Sequence, residues 1–307
     1  MQCAIVLGAA GFIGNAVDRY LIQQGASVLA VSKPGTRETE EGIRLKDFDA
    51  EIVECDLRSI YNIGRRGYKA DLFYNCAWEG TDAVNIADYR IQQNNIKWSL
   101  DAIEVAASLG CHRYIQVGSI SQLELQSVDS RFCVSERHRY YRAAQDCCEN
   151  MGRALAHERG IEFVWPILIN IYGEDAVSQR FINKFVHNVL HNVEMPLSSG
   201  EQLYDFLHLE DAAAALYKVG FMNIQPEPCI VGSGETRRLR DYLIEARDIL
   251  NPAYPLQFGA PDPNAAAIPS DYMDTKRFCD VYGFNPSIDF RTGILRLKEW
   301  EMSHHEN

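Results

Sequence analysis

The stretch "CAIVLGAAGFIGNAVDRYLIQQG", residues 3–25, decides the fold. Its first six residues form an apolar run of strand length. From residue 11 the apolar positions recur at helical spacing and stop at Gly25, a residue that commonly ends helices. Gly8, Gly11 and Gly14 fill the turn between the two. Gly8 permits a tight turn. Gly11 lets the backbone approach a pyrophosphate, and Gly14 lets the helix pack closely on the strand. The free N–H groups of the first helical turn, at Phe12 and Ile13, then face the anion.

Outward from this unit the pattern repeats. Strands are expected at 27–32, 50–56, 71–77, 113–119 and 161–170. Long helices are expected at 88–110 and 135–160. Strands alternating with helices imply a parallel sheet covered on both faces, an α/β doubly wound Rossmann arrangement. After about residue 173 Pro and Gly become frequent and the helices shorten, as in "SQRFINKFVHNVLHN" and "LRDYLIEARDIL". The expected division is a dinucleotide-binding domain, 1–172, and a smaller C-terminal substrate lobe, 173–307, interleaved with the first by late strands. The segment 251–269 reads as loop.

The 307 residues carry 30 basic and 42 acidic side chains, a net charge of −12. That balance argues against a nucleic-acid or anionic-membrane partner. The start lacks a basic targeting segment, and no apolar run reaches membrane-spanning length, so a cytoplasmic protein is expected. Nine cysteines, several in apparent strands or helices, read as reduced thiols. No C-x2-C pair faces a second one, and no metal site is expected.

The second strand ends "AVSKPGTR". An acid there would hold the ribose 2′-hydroxyl of NAD. Ser32, Lys33 and Arg37 occupy the region instead, and such groups bond a 2′-phosphate. NADP is therefore favoured over NAD.

With "GAAGFIG", "CDL" (55–57), "YNCAW" (74–78), "NN" (94–95), "QVGS" (116–119), "NIYG" (170–173), "YDFLHLEDAAAAL" (204–216) and the closing segment 273–300, the chain resembles the extended short-chain dehydrogenase/reductase family. This is the NAD(P)-dependent epimerase/dehydratase group, acting mainly on nucleotide sugars. The resemblance implies roles for single residues. Asp56 and Leu57 would border the adenine, and Cys76, Ala77 and Trp78 would line the cofactor. Asn95 would stand behind the site. Ser119 and Tyr141 would take the catalytic serine and tyrosine positions, and Asn170 would contact substrate, alongside Trp78, Ser119 and Tyr204. A homodimer is also implied, through the helices 88–110 and 135–158, whose apolar content exceeds one stripe.

The stretch "YYRAAQDCC" (140–148) departs from that pattern. The family places lysine four residues after the tyrosine, where its charge stabilises tyrosinate and its amine bonds the nicotinamide ribose. Gln145 can keep the second task but not the first. Arg139 and Arg142 are expected off the Tyr141–Gln145 face. Ile120 and Ser121 replace the acidic pair of the dehydratases. Tyr204 replaces an arginine that grips the substrate diphosphate. Arg180 and Lys184 are possible substitutes for that charge, although their helix face reads as solvated. Two functions follow. One is an NAD(P)-dependent ketoreductase or epimerase on a nucleotide sugar or related carbonyl compound, with Ser119, Tyr141 and Gln145 as its catalytic set. The other is a non-catalytic NAD(P)-binding regulator or assembly protein.

Overall fold

The computed structural model describes residues 2–45, 50–82, 84–126, 138–175, 180–222, 229–261 and 273–304. The start of the expected 135–160 helix and part of the 251–269 loop lie outside these residues. Six strands form the main sheet: β1 (Cys3–Leu7), β2 (Ser27–Ser32), β3 (Glu51–Glu54), β4 (Leu72–Asn75), β5 (Arg113–Gln116) and β7 (Glu162–Val164). All pair parallel, in the order β3-β2-β1-β4-β5-β7. The order reverses beside β1, and a crevice at that reversal is where open parallel sheets hold ligands.

Alternation along β1 builds both faces. Ile5 and Leu7 point into one core with Leu29, Val31 and Phe73. Ala4 and Val6 point into the other with Val28, Leu72 and Tyr74. Successive strand side chains face opposite ways, so a continuous apolar run serves two layers of helices. On the first face lie α3 (Tyr89–Ser108) and α5 (Arg139–Glu158), which pack side by side. On the second, α1 (Phe12–Gln23) packs against α7 (Leu209–Phe221). Between the strands lie two short helices, α2 (Tyr61–Gly64) and α4 (Ser121–Gln126).

Beside the main sheet the chain makes small sheets, built mostly from strands past β7. β6 (Gly118–Ser119), β8 (Pro166–Leu168) and β13 (Cys229–Val231) form one, and β9 (Asn170–Tyr172) pairs with β12 (Phe206–His208). β11 (Leu203–Tyr204) runs antiparallel to β14 (Arg237–Arg238), and β10 (Pro196–Leu197) pairs with β15 (Gln257–Phe258). A third core joins α6 (Phe181–Leu190), α8 (Leu239–Leu250) and α10 (Phe290–His304) through Phe185, Val189, Tyr242, Leu243, Ile294 and Leu297. α9 (Thr275–Tyr282) sits on β13. Thus α7 covers the main sheet, whereas its late neighbours α6, α8 and α10 have a core of their own. Every cysteine among the described residues is unbridged. No helix among them is long and apolar enough to cross a membrane.

Candidate active site

The turn after β1 is held by backbone alone. The Gly8 and Ala9 N–H groups both donate to the Val31 carbonyl, at 2.9 and 3.0 Å, and Gly11 N–H donates to Gly8 O at 2.8 Å. Gly8 has φ +89°, and a Cβ there would lie 2.9 Å from the Ala77 nitrogen. At Gly14 a Cβ would lie 2.2 Å from the Gly8 oxygen. Neither position admits a side chain. Gly11 differs: its added Cβ would meet only the Gly8 oxygen, at 3.1 Å. It caps α1 without any side-chain bond to the first turn. The helix therefore presents its amino end past Phe12 and Ile13 with no cap side chain bonded across it.

Two residues that sequence reasoning missed bind this turn to the rest of the chain. Arg44 donates from Nη1 to the Ala10 carbonyl at 2.8 Å and forks onto Asp175 at 2.9 and 2.6 Å. Both side chains of the pair are largely buried. Glu174, beside Asp175, accepts from His208 and from Arg296. Burial pushes the Glu174 carboxyl up, but these bonds outweigh it and hold it down at about 2. Nothing in the local sequence signals the Arg44–Asp175 pair, which spans 131 residues.

At the end of β2, Ser32 is buried, and among the described residues its hydroxyl has no partner. Lys33 and Arg37 are exposed. Lys33 sits 3.4 Å from Glu79, a carboxylate that the reading of β2 alone overlooked. Asp56 caps the short turn Leu57–Ser59 and takes both oxygens to Arg58. That hydrogen bond holds its carboxyl at about 2.

Beyond β4, Asn75 Oδ1 accepts from Ala77 N–H at 3.0 Å and shapes the Cys76–Trp78 turn. Burial raises the Cys76 thiol far above its usual range, so it remains neutral. Asn95, buried in α3, accepts from the Glu79 N–H at 3.0 Å and donates to the Glu79 carbonyl at 2.8 Å. The Trp78 indole donates to Gln92 at 2.8 Å. Its ring then meets Tyr141 edge-on, with centroids 5.9 Å apart.

The structure brings Ser119, Tyr141 and Trp78 together. Ser119 ends β6, and Tyr141 lies in the first turn of α5. Burial raises the Tyr141 phenol, and the nearby Ser119 hydroxyl and the charge of Arg180 oppose that rise. Gln145, one turn on, is 2% exposed, and among the described residues its Oε1 has no partner. Arg139 is exposed, whereas Arg142 is almost fully buried.

Arg180 is where the sequence reading of a solvated face fails. It is half-buried at the start of α6, with its guanidinium 4.5 Å above the Phe12 ring. From there its charge acts on Tyr141, and Asp175 and Arg44 are its other charged neighbours. Lys184 is exposed, as expected. Helical periodicity identified the face but not what the residue preceding the first turn would meet.

The two remaining substrate candidates lie further along. Asn170 is half-buried on β9 and donates to the Asp205 carbonyl at 3.3 Å. Tyr204 packs its ring 5.5 Å from Phe206, directly across β11–β14 from Arg237. Arg237 lies 3.9 Å over the Tyr242 ring and pairs with Glu245.

The chain and its fold have known counterparts. dTDP-glucose 4,6-dehydratase 1 of Escherichia coli (strain K12) is 22% identical over 339 residues, covering 98% of this chain and 92% of that protein. The structure of UDP-glucose 4-epimerase from Thermotoga maritima with UDP-glucose matches with a TM-score of 0.82 at 18% identity, covering 100% of both chains. The Bordetella bronchiseptica enzyme WbmG in complex with NAD matches at 0.76 and 16% identity, over 99% of this chain and 94% of that one. These two likenesses establish the shared fold. The sequence profile of the NAD dependent epimerase/dehydratase family matches residues 4–227. With the glycine turn, the parallel sheet and that match over most of its length, the chain belongs to the NAD dependent epimerase/dehydratase family.

Proposed function

We propose that the chain is an NADP(H)-dependent ketoreductase acting on a nucleotide sugar or a related carbonyl compound. The observation that carries this reading is a buried Tyr141 packed edge-on against Trp78, near Ser119, with Arg180 as the nearby cation in place of a lysine.

The residues present fit a dinucleotide. Gly8 and Gly14 admit no side chain, Gly11 caps α1 without a side chain, and among the described residues the buried Gln145 Oε1 has no partner. The glycine turn would take the pyrophosphate. Asp56 and Leu57 would border the adenine, and Cys76, Ala77 and Trp78 the inner wall. Gln145 would bond the nicotinamide ribose. Ser32, Lys33 and Arg37 at the end of β2 support a 2′-phosphate. When bound, the reduced nicotinamide supplies a hydride to the substrate carbonyl.

The protein's part is to hold that carbonyl and deliver a proton. Ser119 Oγ donates to the substrate oxygen and fixes it beside the Tyr141 Oη. As negative charge grows on that oxygen, Tyr141 gives up its proton to it. Arg180 stabilises the tyrosinate left behind, the task the missing lysine performs in relatives of this type. A phenol raised by burial is fully protonated at neutral pH, which suits a proton donor better than a base. Trp78, packed edge-on, and Asn170 would line the substrate side, with Tyr204 further out. The Gln145 substitution also supports a second reading, a non-catalytic NAD(P)-binding protein.

The deciding experiment follows nicotinamide absorbance while NADPH meets a panel of keto nucleotide sugars. Turnover that Tyr141→Phe removes supports the reductase. Tight NADPH binding without turnover on any member supports the binding protein. We also propose a homodimer through the outer faces of α3 and α5, where Met151 is 48% exposed. A monomer by sedimentation at micromolar concentration would refute it.

A further inference from the structure

Three side chains at the far end of α6 form a cluster unrelated to the cofactor turn. His187 and His191 are four apart, one turn of helix, and their rings lie 4.5 Å centre to centre. Glu301 reaches them from α10 and is only 8% exposed. Its Oε1 is hydrogen-bonded to His187 Nδ1 and lies 3.6 Å from His191 Nε2. One ligand atom from each residue falls within 4.8 Å of the other two.

We propose that His187, His191 and Glu301 bind a divalent transition-metal ion, with Zn2+ as the fitting occupant, and that the ion staples α10 to α6. Two imidazoles and one carboxylate are a donor set that Zn2+ accepts, with a fourth position left to water. Zn–N and Zn–O bonds of about 2.0–2.2 Å place tetrahedral ligand atoms roughly 3.4 Å apart. The 3.6 Å between Glu301 and His191 is close to that already. Small side-chain rotations complete the triangle, with the buried carboxylate as its fixed point. Both imidazoles are half-open to solvent, which gives the ion an entry path. Two hydrogen-bonded histidines alone would explain the contact with Glu301. The ion additionally requires that both rings reach one point together with it, which the helical spacing provides.

The site has a structural consequence. α6 begins next to Arg180 and ends at this cluster, so one short helix spans about 15 Å between them. An ion pinning its far end to α10 would stiffen the element that presents Arg180, without touching the reaction.

The test uses the full chain, free of any histidine tag and stripped with chelator. ZnCl2 titrated calorimetrically should show one site per chain. At Zn2+ a hundredfold above Kd the Tm should rise by about 5 °C. His191→Ala, a change at an exposed position, should weaken binding at least about tenfold, since losing a ligand costs no less than losing its outer-shell partner. Glu301→Gln should do the same. Co2+ bound in place of Zn2+ should show nitrogen and oxygen ligation without thiolate bands. The proposal is overturned if Zn2+ binds no tighter than about 100 μM, if His191→Ala binds as the parent does, or if the Co2+ spectrum shows sulfur ligands.

Discussion

The glycine turn and the amino end of α5 are built on different rules. At the turn, three backbone hydrogen bonds and two absent side chains fix the geometry. Only glycine satisfies Gly8 and Gly14, so the requirement is written locally and unmistakably. At Tyr141 the proposed requirement is a positive charge near a phenol. A charge can arrive from any element that reaches the spot. Here Gln145 leaves the position neutral, and Arg180 brings the charge from the start of α6. A backbone requirement preserves its motif, whereas an electrostatic requirement preserves only its field.

Substitutions can break that contrast. The largest effect is expected at the turn. Gly11→Asp places a carboxylate against the anion site and should abolish NADPH binding in a folded protein, measured by fluorescence titration. Unchanged affinity would remove the cofactor assignment. Gly14→Ala forces a methyl onto the Gly8 oxygen and should cost about 1–3 kcal/mol of stability by denaturant unfolding.

Next comes the proposed proton donor. Tyr141→Phe should lower kcat for reduction by about 10²–10⁴-fold with little change in NADPH affinity. A parent-like rate on a confirmed substrate would exclude Tyr141 as the donor.

The smallest effect tests cofactor choice. Lys33 is exposed and paired with Glu79, so the contact proposed for it with a 2′-phosphate would be screened by solvent. Lys33→Ala should weaken NADPH more than NADH, by about 0.5–1 kcal/mol, a few-fold in Kd. Equal losses for the two cofactors would remove the 2′-phosphate role.

The same contrast explains what could be read in the sequence. β1 showed itself because an apolar run between turn signals has few other uses, and each main-sheet strand lies within an expected one, although the expected strands 113–119 and 161–170 each break into pieces that pair in different sheets. The Ser119 and Tyr141 positions were legible only through resemblance. Arg44 and Asp175 were not legible, because their bond joins a short 3-10 helix, Glu40–Leu45, to the segment after β9, two pieces brought together only by the fold. Arg180 was read as solvated because periodicity gives a side chain's direction about its own helix and says nothing of Phe12 beneath it. The third core was visible only as shorter helices, since its aromatic contacts among Tyr172, Phe206, Tyr242 and Phe290 link four separate elements.

The central claim is that Arg180 does for Tyr141 what a lysine at position 145 would do. The most direct measurement is the pH dependence of kcat for alcohol oxidation, the direction that needs tyrosinate, on the best substrate from the panel. Removing a nearby cation raises a phenol's pKa, so the rate should rise with pH along a curve displaced to higher pH. For Arg180→Gln the account predicts an inflection about 1 pH unit more alkaline than the parent's. Gln145→Lys in the same background should bring it back. An Arg180→Gln inflection at the parent's pH would contradict the account.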